Sequence, residues 1–141
     1  MSADSSPVRQ VFYQAFNQGN LTMVDELVSA DLATYMSGWG LPASRMGLKQ
    51  MIANLRAAFP DLHCTVEDEI RDGDKLAAHW TMRGTHRGSY LGNPPTGKQV
   101  SSLGIIFARI AEGKIVENWI LIDQMGLLQQ LGVIPSLRGN I

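Results

Sequence analysis

The segment Gly113–Gly132, GKIVENWILIDQMGLLQQLG, places one acidic residue where a strand pattern meets a helix pattern. Residues 115 to 122 are rich in β-branched and aromatic side chains, which favours a buried strand. Residues 124 to 131 carry Leu and Met at helical spacing and stop at Gly132, which predicts a short helix. Asp123 therefore either caps this helix or projects into an apolar cavity, where burial makes a carboxylate a better base. The two roles are compatible if one oxygen caps and the other faces inward.

The composition describes a single compact domain without a strong electrostatic field. The chain has 141 residues, 45% of them hydrophobic, which suits one core. Its net charge of -1 leaves no field to hold nucleic acid or anionic lipid. The N-terminus has no apolar signal region, and no run approaches the roughly 18 apolar residues that span a bilayer. We therefore expect a soluble cytoplasmic protein with no nucleic acid and no membrane as partner.

Three helices are predicted before the strands begin. Residues 1–6 are expected to be disordered, Pro7 opens helix 1, and a second, short helix follows Gly19 and Asn20. Asp31 to Tyr35 is predicted as a brief strand. Trp39 stands in a glycine-flanked loop, where a large aromatic ring usually covers a core or a pocket. Helix 3 begins near Ser44, is blocked by Pro60, and carries Met51 and Leu55 on its buried face.

After helix 3 the pattern changes to the period of strands. Residues 62–70, 76–85, 100–110 and 115–122 are predicted to form four antiparallel strands in sequence, with tight turns around Gly73 and Gly113. The Gly- and Pro-rich segment 86–98 is a long excursion between two of them. Three helices followed by such a meander indicate an α+β fold, in which a curved antiparallel sheet packs on the helices. We place a cavity between helix 3 and the last two strands, and we expect residues 133–141 to form a C-terminal tail.

Several kinds of catalytic site have no support in the sequence. No phosphate-binding glycine loop and no strand-to-helix nucleophile turn are present. Cys64 is the only cysteine, which excludes an internal disulfide and a cysteine-rich zinc site and favours plain packing. His79 and His86 fall on opposite faces of one predicted strand, so they do not form a local metal site. A zinc centre assembled from distant residues is the alternative, and our prediction is that the protein binds no metal.

The remaining possibility is a site in which isolated side chains act as acid and base. Asp123 is the leading candidate, with Trp119 and Leu121 on its own face of the strand. His79 is either a core histidine or a pocket residue. Trp80 points to the opposite face, so only one of the two lines the inside. His86 is better explained as a turn-stabilising residue than as a catalyst.

Three segments are similar to one known family: AAFPDL at 57–62, RGTHRGSYLGNPPTGK at 83–98 and GKIVENWILIDQMGLLQQLG at 113–132. Together they resemble the SnoaL-like polyketide cyclase family, within the nuclear transport factor 2-like superfamily. The resemblance implies a cone-shaped α+β barrel with a deep apolar pocket, in a homodimer or higher homo-oligomer, with no cofactor and no metal.

The resemblance also implies a reaction and a site. In cyclases of this family, an aspartate at the end of the last strand is the acid/base for an intramolecular aldol closure, and the matching residue is Asp123. Two positions depart from the family: Ile106 stands where anthracycline-ring cyclases have a histidine, and Tyr35 stands where many relatives have another. The predicted catalytic residues are Asp123 and His79, and the predicted substrate-binding residues are Tyr35, Trp39, Met51, Leu55, Trp80, Trp119 and Leu121.

Three functions follow as hypotheses. The first is a cofactor-independent enzyme acting on a hydrophobic, polyketide-like small molecule. The second is a hydrolase, hydratase or isomerase on the same scaffold, and the third is a non-catalytic module that binds an apolar ligand or serves as an oligomeric scaffold. Strands that are apolar on both faces, such as those carrying Phe107 and Ile120, need a cover for the outer face. A second copy of the chain is the simplest cover, so we expect a homodimer.

Overall fold

The computed structural model describes residues 6–36 and 41–135. In chain order the elements are α1 (Pro7–Gln10), a π-helical continuation of it (Val11–Phe16), α2 (Thr22–Leu27), β1 (Val28–Met36), α3 (Arg45–Ala58), β2 (His63–Asp72), β3 (Lys75–Thr85), β4 (Gln99–Ala111), β5 (Lys114–Ile122) and α4 (Gln124–Leu131). The predicted sequence of three helices followed by four strands and a last helix is confirmed.

The first helix begins at a capping serine. The Ser6 hydroxyl oxygen accepts a hydrogen bond from the Arg9 N–H at 3.2 Å, and Pro7 takes the first helical position, where an N–H is not needed. Ser6 also donates to a carboxylate oxygen of Glu69 at 2.6 Å and is buried. The expectation of disorder over residues 1–6 is therefore wrong at Ser6. Residues 1–5, and residues 136–141 of the predicted tail, lie outside the described residues.

The strands form one five-stranded sheet in the order β1-β5-β4-β3-β2. The pairs from β2 to β5 are antiparallel, as predicted, whereas β1 is longer than predicted and pairs in parallel with β5. Register shifts at Val66/Asp68 and Arg109/Ile110 are β-bulges, which bend the strands that carry them. Within the described residues no ladder joins β1 to β2, so the sheet is curved but does not close into a barrel.

Strand β4 separates the two faces of the sheet. Its residues alternate strictly between exposed and buried over the whole strand. The buried set, which includes Ile106 and Ala108, faces the helices and joins the main core. The exposed set is polar or small towards the ends of the strand but large and apolar in its middle, where Leu103, Ile105 and Phe107 are between 39% and 48% exposed. The middle of the outer face is therefore apolar, as the sequence predicts.

The interior between sheet and helices is filled by aromatic rings. Trp80 on β3 is fully buried, and its ring centroid lies 4.7 Å from that of Phe12 and 6.1 Å from that of Phe16. The cavity beside these rings has a volume of only about 10 Å³, close to the minimum for one water molecule. The deep apolar pocket that the resemblance implies is thus not seen among residues 6–36 and 41–135.

Within the part of the chain that the structure describes, none of the helices combines the length and the apolar character needed to cross a membrane.

Candidate functional site

The parallel pairing of β1 with β5 brings two predicted substrate-binding aromatics together. Tyr35 and Trp119 are register partners on the outer face, and their rings stack with centroids 5.1 Å apart at an angle of 16°. The ring of Phe107 on β4 lies 5.5 Å from that of Trp119 and extends the aromatic strip. Nothing local in the sequence predicts this contact, because the two strands are far apart along the chain.

Beside Tyr35 and Trp119 lies an apolar groove of about 410 Å³. It runs along the C-terminal end of β1 and is lined by Thr34, Tyr35, Met36, Leu41, Ala43, Trp119 and Leu121. Three of the predicted substrate-binding residues, Tyr35, Trp119 and Leu121, thus meet in one groove. Trp39, also predicted to bind substrate, lies outside the described residues.

The other predicted contact residues do not reach this groove. Met51 and Leu55 on α3 are fully buried in the core, and so is Trp80. The choice left open between His79 and Trp80 is decided, because Trp80 faces the helices and His79 is exposed on the outer face. His79 lies beside Asp68 and Ile105 in a separate shallow depression of about 200 Å³. Since β4 stands between β3 and β5, the structure does not bring His79 and Asp123 together.

Asp123 caps helix α4. Its Oδ1 accepts a hydrogen bond from the Gly126 N–H at 2.9 Å, while Oδ2 has no hydrogen-bond partner among the described residues. A Cβ atom at residue 126 would come within 2.3 Å of Oδ2, so glycine at that position makes room for the carboxylate. The side chain of Asp123 is exposed, and the described residues do not form an apolar pocket around it. Of the two roles weighed from the sequence, capping is the one that the geometry displays.

The inner face carries polar atoms that the sequence analysis missed. Thr34 Oγ1 and Asn118 Oδ1 are buried and have no hydrogen-bond partner among residues 6–36 and 41–135, and the same holds for Trp80 Nε1. Thr34 and Asn118 are register partners across β1 and β5, and each residue is 1% exposed. A polar residue at an inner position of an otherwise apolar strand, as in IVENWI, was the available signal.

The pairing of β4 with β5 shows which residues stand at an inner position where the family resemblance fails. Ile106, at the position where anthracycline-ring cyclases have a histidine, faces the interior and pairs with Ile120 on β5. Asp123 lies three residues beyond Ile120, past the end of the strand. This inner cross-strand pair therefore consists of two isoleucines and contains no acid or base.

The loop at 86–98 is stabilised by hydrogen bonds between its own residues and to α4. His86 is buried, and its Nδ1 accepts a hydrogen bond from the Thr96 N–H at 3.1 Å, which confirms its role in stabilising the turn. Tyr90 donates from its hydroxyl to Gln124 Oε1 at 2.6 Å, and burial raises the pKa of Tyr90 to about 12. Because Gln124 follows Asp123 directly, this loop braces the first turn of α4.

Two other groups have shifted pKa values. Burial raises the pKa of the Cys64 thiol to about 12, so it remains a protonated core residue, in agreement with the packing role predicted for it. The Thr85 N–H and hydroxyl each donate to the Asp61 carboxylate at 2.7 Å and lower its pKa.

Among the described residues, no three His, Cys, Asp or Glu side chains are grouped so that they could hold a metal ion.

The chain matches the family model of the SnoaL-like polyketide cyclases over residues 7–131. Among solved structures it is similar to IdmH from Streptomyces antibioticus, a candidate polyketide cyclase, with 32% identity and a TM-score of 0.80 over 89% of this chain and 96% of that one. It is also similar to AclR from Streptomyces galilaeus, a candidate hydroxylase, with 29% identity and a TM-score of 0.77 over 89% and 78% of the two chains.

A third similar structure is a candidate polyketide cyclase from Acidithiobacillus ferrooxidans, with 26% identity and a TM-score of 0.81 over 94% of this chain and 99% of that one. No curated protein shows significant sequence similarity to the chain. The family match covers nearly the whole described chain, and the fold agrees with it. The chain therefore belongs to the SnoaL-like polyketide cyclase family.

Proposed function

We propose that the protein is a cofactor-independent acid/base enzyme that acts on a hydrophobic, polyketide-like small molecule, with Asp123 as the base. Family membership supports the substrate class, and the apolar groove beside Tyr35 and Trp119 supports a flat, hydrophobic ligand. The observation that carries the proposal is the position of Asp123. It lies two residues beyond Leu121 of the groove, ~7 Å along the strand direction, and one of its carboxylate oxygens has no hydrogen-bond partner within residues 6–36 and 41–135.

The proposed reaction is an intramolecular aldol closure. The Asp123 carboxylate removes a proton from a carbon next to a carbonyl group, and the resulting carbanion forms a carbon–carbon bond with a ketone carbon of the same molecule. The ketone oxygen then takes up a proton, so substrate and product are isomers. The chain supplies the base and the apolar surface, and the reaction needs no oxidant or reductant.

Substitutions at residue 123 distinguish a catalytic base from a helix cap. Asp123→Asn and Asp123→Ser keep an oxygen that can cap α4 but remove the carboxylate, so turnover should fall by about 10² or more while the melting temperature changes little. Asp123→Ala also removes the cap and should lower stability by about 0.5–2 kcal/mol. Asp72→Asn, an exposed aspartate in the β2–β3 hairpin, is the matched control.

Turnover is followed by chromatography with mass detection on aromatic polyketide methyl esters that carry an acidic methylene and a ketone. Unchanged turnover in Asp123→Asn and Asp123→Ser would exclude Asp123 as the base.

A second candidate function is non-catalytic binding of an apolar ligand, and the chemistry of the interior favours it. The unpartnered polar atoms on the inner face of the sheet belong to the hydroxyl of Thr34, the amide of Asn118 and the indole of Trp80, which orient a ligand but do not take up its protons near neutral pH. His86 Nε2 is also buried and unpartnered among the described residues, but it lies in the 86–98 loop and not on the sheet. The Ile106–Ile120 pair is apolar as well. Binding of the same esters without any conversion by the parent protein would support this candidate and contradict the first.

We also propose that the protein is a homodimer joined through the outer face of the sheet. Five large apolar side chains on β4 and β5, Leu103, Ile105, Phe107, Trp119 and Leu121, are each 38–56% exposed. Solvent-exposed apolar surface of this extent is typical of an interface. A cytoplasmic location remains a prediction.

A further inference from the structure

A polar cleft of about 410 Å³ lies where the pairing of β3 with β4 ends. Among the residues that line it are Asp61, Arg83, Thr85, Gln99, Ser101 and Gln130. The groove beside Tyr35 and Trp119 is lined by other residues, on β1 and β5. The cleft is therefore a separate site, and polar side chains predominate in it where apolar ones form the groove.

Two pairs of hydrogen bonds fix the shape of this cleft. The side-chain amide of Gln130 donates to the Ser101 carbonyl at 2.7 Å and accepts from the Ser101 N–H at 2.9 Å. The Asp61 carboxylate accepts from the N–H and from the hydroxyl of Thr85, both at 2.7 Å. Because both pairs tie a side chain to the backbone of a strand, the cleft is formed before a ligand arrives, which lowers the cost of binding one.

Arg83 brings an unpaired positive charge to the cleft. Its side chain is exposed, and within residues 6–36 and 41–135 its guanidinium makes neither a hydrogen bond nor an ion pair. Arg45, Arg56 and Arg109, by contrast, each donate to an oxygen of the protein. The N–H donors of Arg83 are therefore available to a ligand in the cleft.

The charges of the cleft favour a ligand with one negative charge. A guanidinium presents two parallel N–H donors, which match the two oxygens of a carboxylate. The Asp61 carboxylate is ionised at neutral pH and is held in the same cleft. It repels a dianion such as a phosphate monoester more strongly than a monoanion.

We infer that this cleft binds a small molecule that carries a single carboxylate, with the carboxylate paired to Arg83. The volume is large enough for a ligand with a ring. Gln99 lines the same cleft, and its side-chain nitrogen is a second donor for the carboxylate. The inference goes beyond the proposed function, because it involves neither the groove nor Asp123.

Benzoate and benzamide test this inference, because they have nearly the same shape and only benzoate is charged. Affinities are measured by protein-observed NMR titration at pH 7 and low salt, where ion pairs are least screened. The parent should bind benzoate about tenfold or more tightly than benzamide, with shifts of the Gln99 and Ser101 amide signals. Arg83→Gln should lower the affinity for benzoate to that for benzamide. Arg83→Lys keeps the charge without the paired donors and should retain part of the preference.

Two further variants serve as controls for the role of charge. Arg71→Gln, at an exposed arginine of β2 outside the cleft, should leave the preference for benzoate unchanged. Asp61→Asn removes the fixed negative charge and should raise the affinity for inorganic phosphate more than that for benzoate. Because the Arg83 side chain has no partner in the described part of the chain, the melting temperature of Arg83→Gln should stay within about 2 °C of the parent's.

Equal affinity of the parent for benzoate and benzamide would overturn the inference, and so would a preference for benzoate that survives in Arg83→Gln. Tighter binding of inorganic phosphate than of benzoate by the parent would overturn the assignment to a monocarboxylate. Each of these results leaves the proposed function standing, because that function is tested by turnover in variants of Asp123, which does not line the cleft.

Discussion

The carboxylate of Asp61 is held by two hydrogen bonds from one residue. Asp61, in the turn between α3 and β2, accepts from both the N–H and the hydroxyl of Thr85 at the end of β3. These bonds favour the ionised carboxylate, so the pKa of Asp61 is lower in the folded chain than in the unfolded one. Its contribution to stability is therefore present above the unfolded value of about 3.9 and is lost as the pH falls through the lower folded value.

We predict that Asp61→Asn makes stability less dependent on pH in the acid range. Between about pH 4 and pH 2, the free energy of unfolding of the parent should fall more steeply than that of the variant. The reason is that the amide at residue 61 of the variant takes up no proton on unfolding. Urea unfolding at a series of pH values measures the difference. Asp72→Asn is the control and should keep the parent's acid sensitivity at Asp61. Parallel curves for Asp61→Asn and the parent would contradict the assignment.

A glycine on β4 leaves space for the largest buried side chain of β3. Gly104 on β4 is the register partner of Trp80 on β3, and a Cβ atom at residue 104 would lie 2.3 Å from Cε2 of the indole. The indole has little space to move, because Phe12 and Phe16 pack against it. The glycine on β4 therefore allows the tryptophan on β3 to fill the interior.

We predict that Gly104→Ala destabilises the fold by about 1–3 kcal/mol through overpacking. Trp80→Phe in the same chain should recover part of the loss, because the smaller ring leaves room for the new methyl group. Ser101→Ala, at an exposed side chain of the same strand, should change stability by no more than about 0.5 kcal/mol. These values come from urea unfolding. Additive effects of Gly104→Ala and Trp80→Phe would show that the two positions do not interact.

The whole molecule presents two surfaces of different character. The helices cover the inner face of the sheet, while the outer face is left with exposed apolar side chains on β4 and β5. A strand with one face in water normally places polar residues on that face, whereas the middle of β4 and the end of β5 place large apolar residues there. Trp119 and Leu121 belong both to the proposed interface and to the ligand groove, so the two proposed sites share these side chains.

We predict that the parent is a dimer at micromolar concentration, with an interface of about 1,600 Å² or more. Ile105→Lys places a charge in the centre of the apolar face and should yield a monomer that remains folded, because residue 105 is already 46% exposed in a single copy. Met46→Lys, at an exposed apolar residue of α3, should leave the dimer intact. Light scattering after size exclusion gives the mass, and a monomeric parent would refute the proposed dimer.

The sequence by itself determined the order of the elements and the antiparallel meander, and it offered the Asp123 cap as one of two roles. These features depend on neighbouring residues: helical spacing, Pro60 after α3, glycine turns and the change from period 3.6 to period 2 all act within a few positions. The resemblance of three segments to one family also needed only the sequence. Strand alternation likewise placed His79 and Trp80 on opposite faces.

Tertiary structure alone decided which face is inside, which strands are neighbours and where space is left. Alternation sorts side chains into two sets, but only packing against the helices buried Trp80 and exposed His79. The parallel pairing of β1 with β5 joins segments distant in sequence, so no local pattern predicts the Tyr35–Trp119 stack or the Thr34–Asn118 pair. The expected deep pocket is not seen among residues 6–36 and 41–135, and no local pattern could decide this, because the volume between sheet and helices depends on how Phe12, Phe16 and Trp80 pack together.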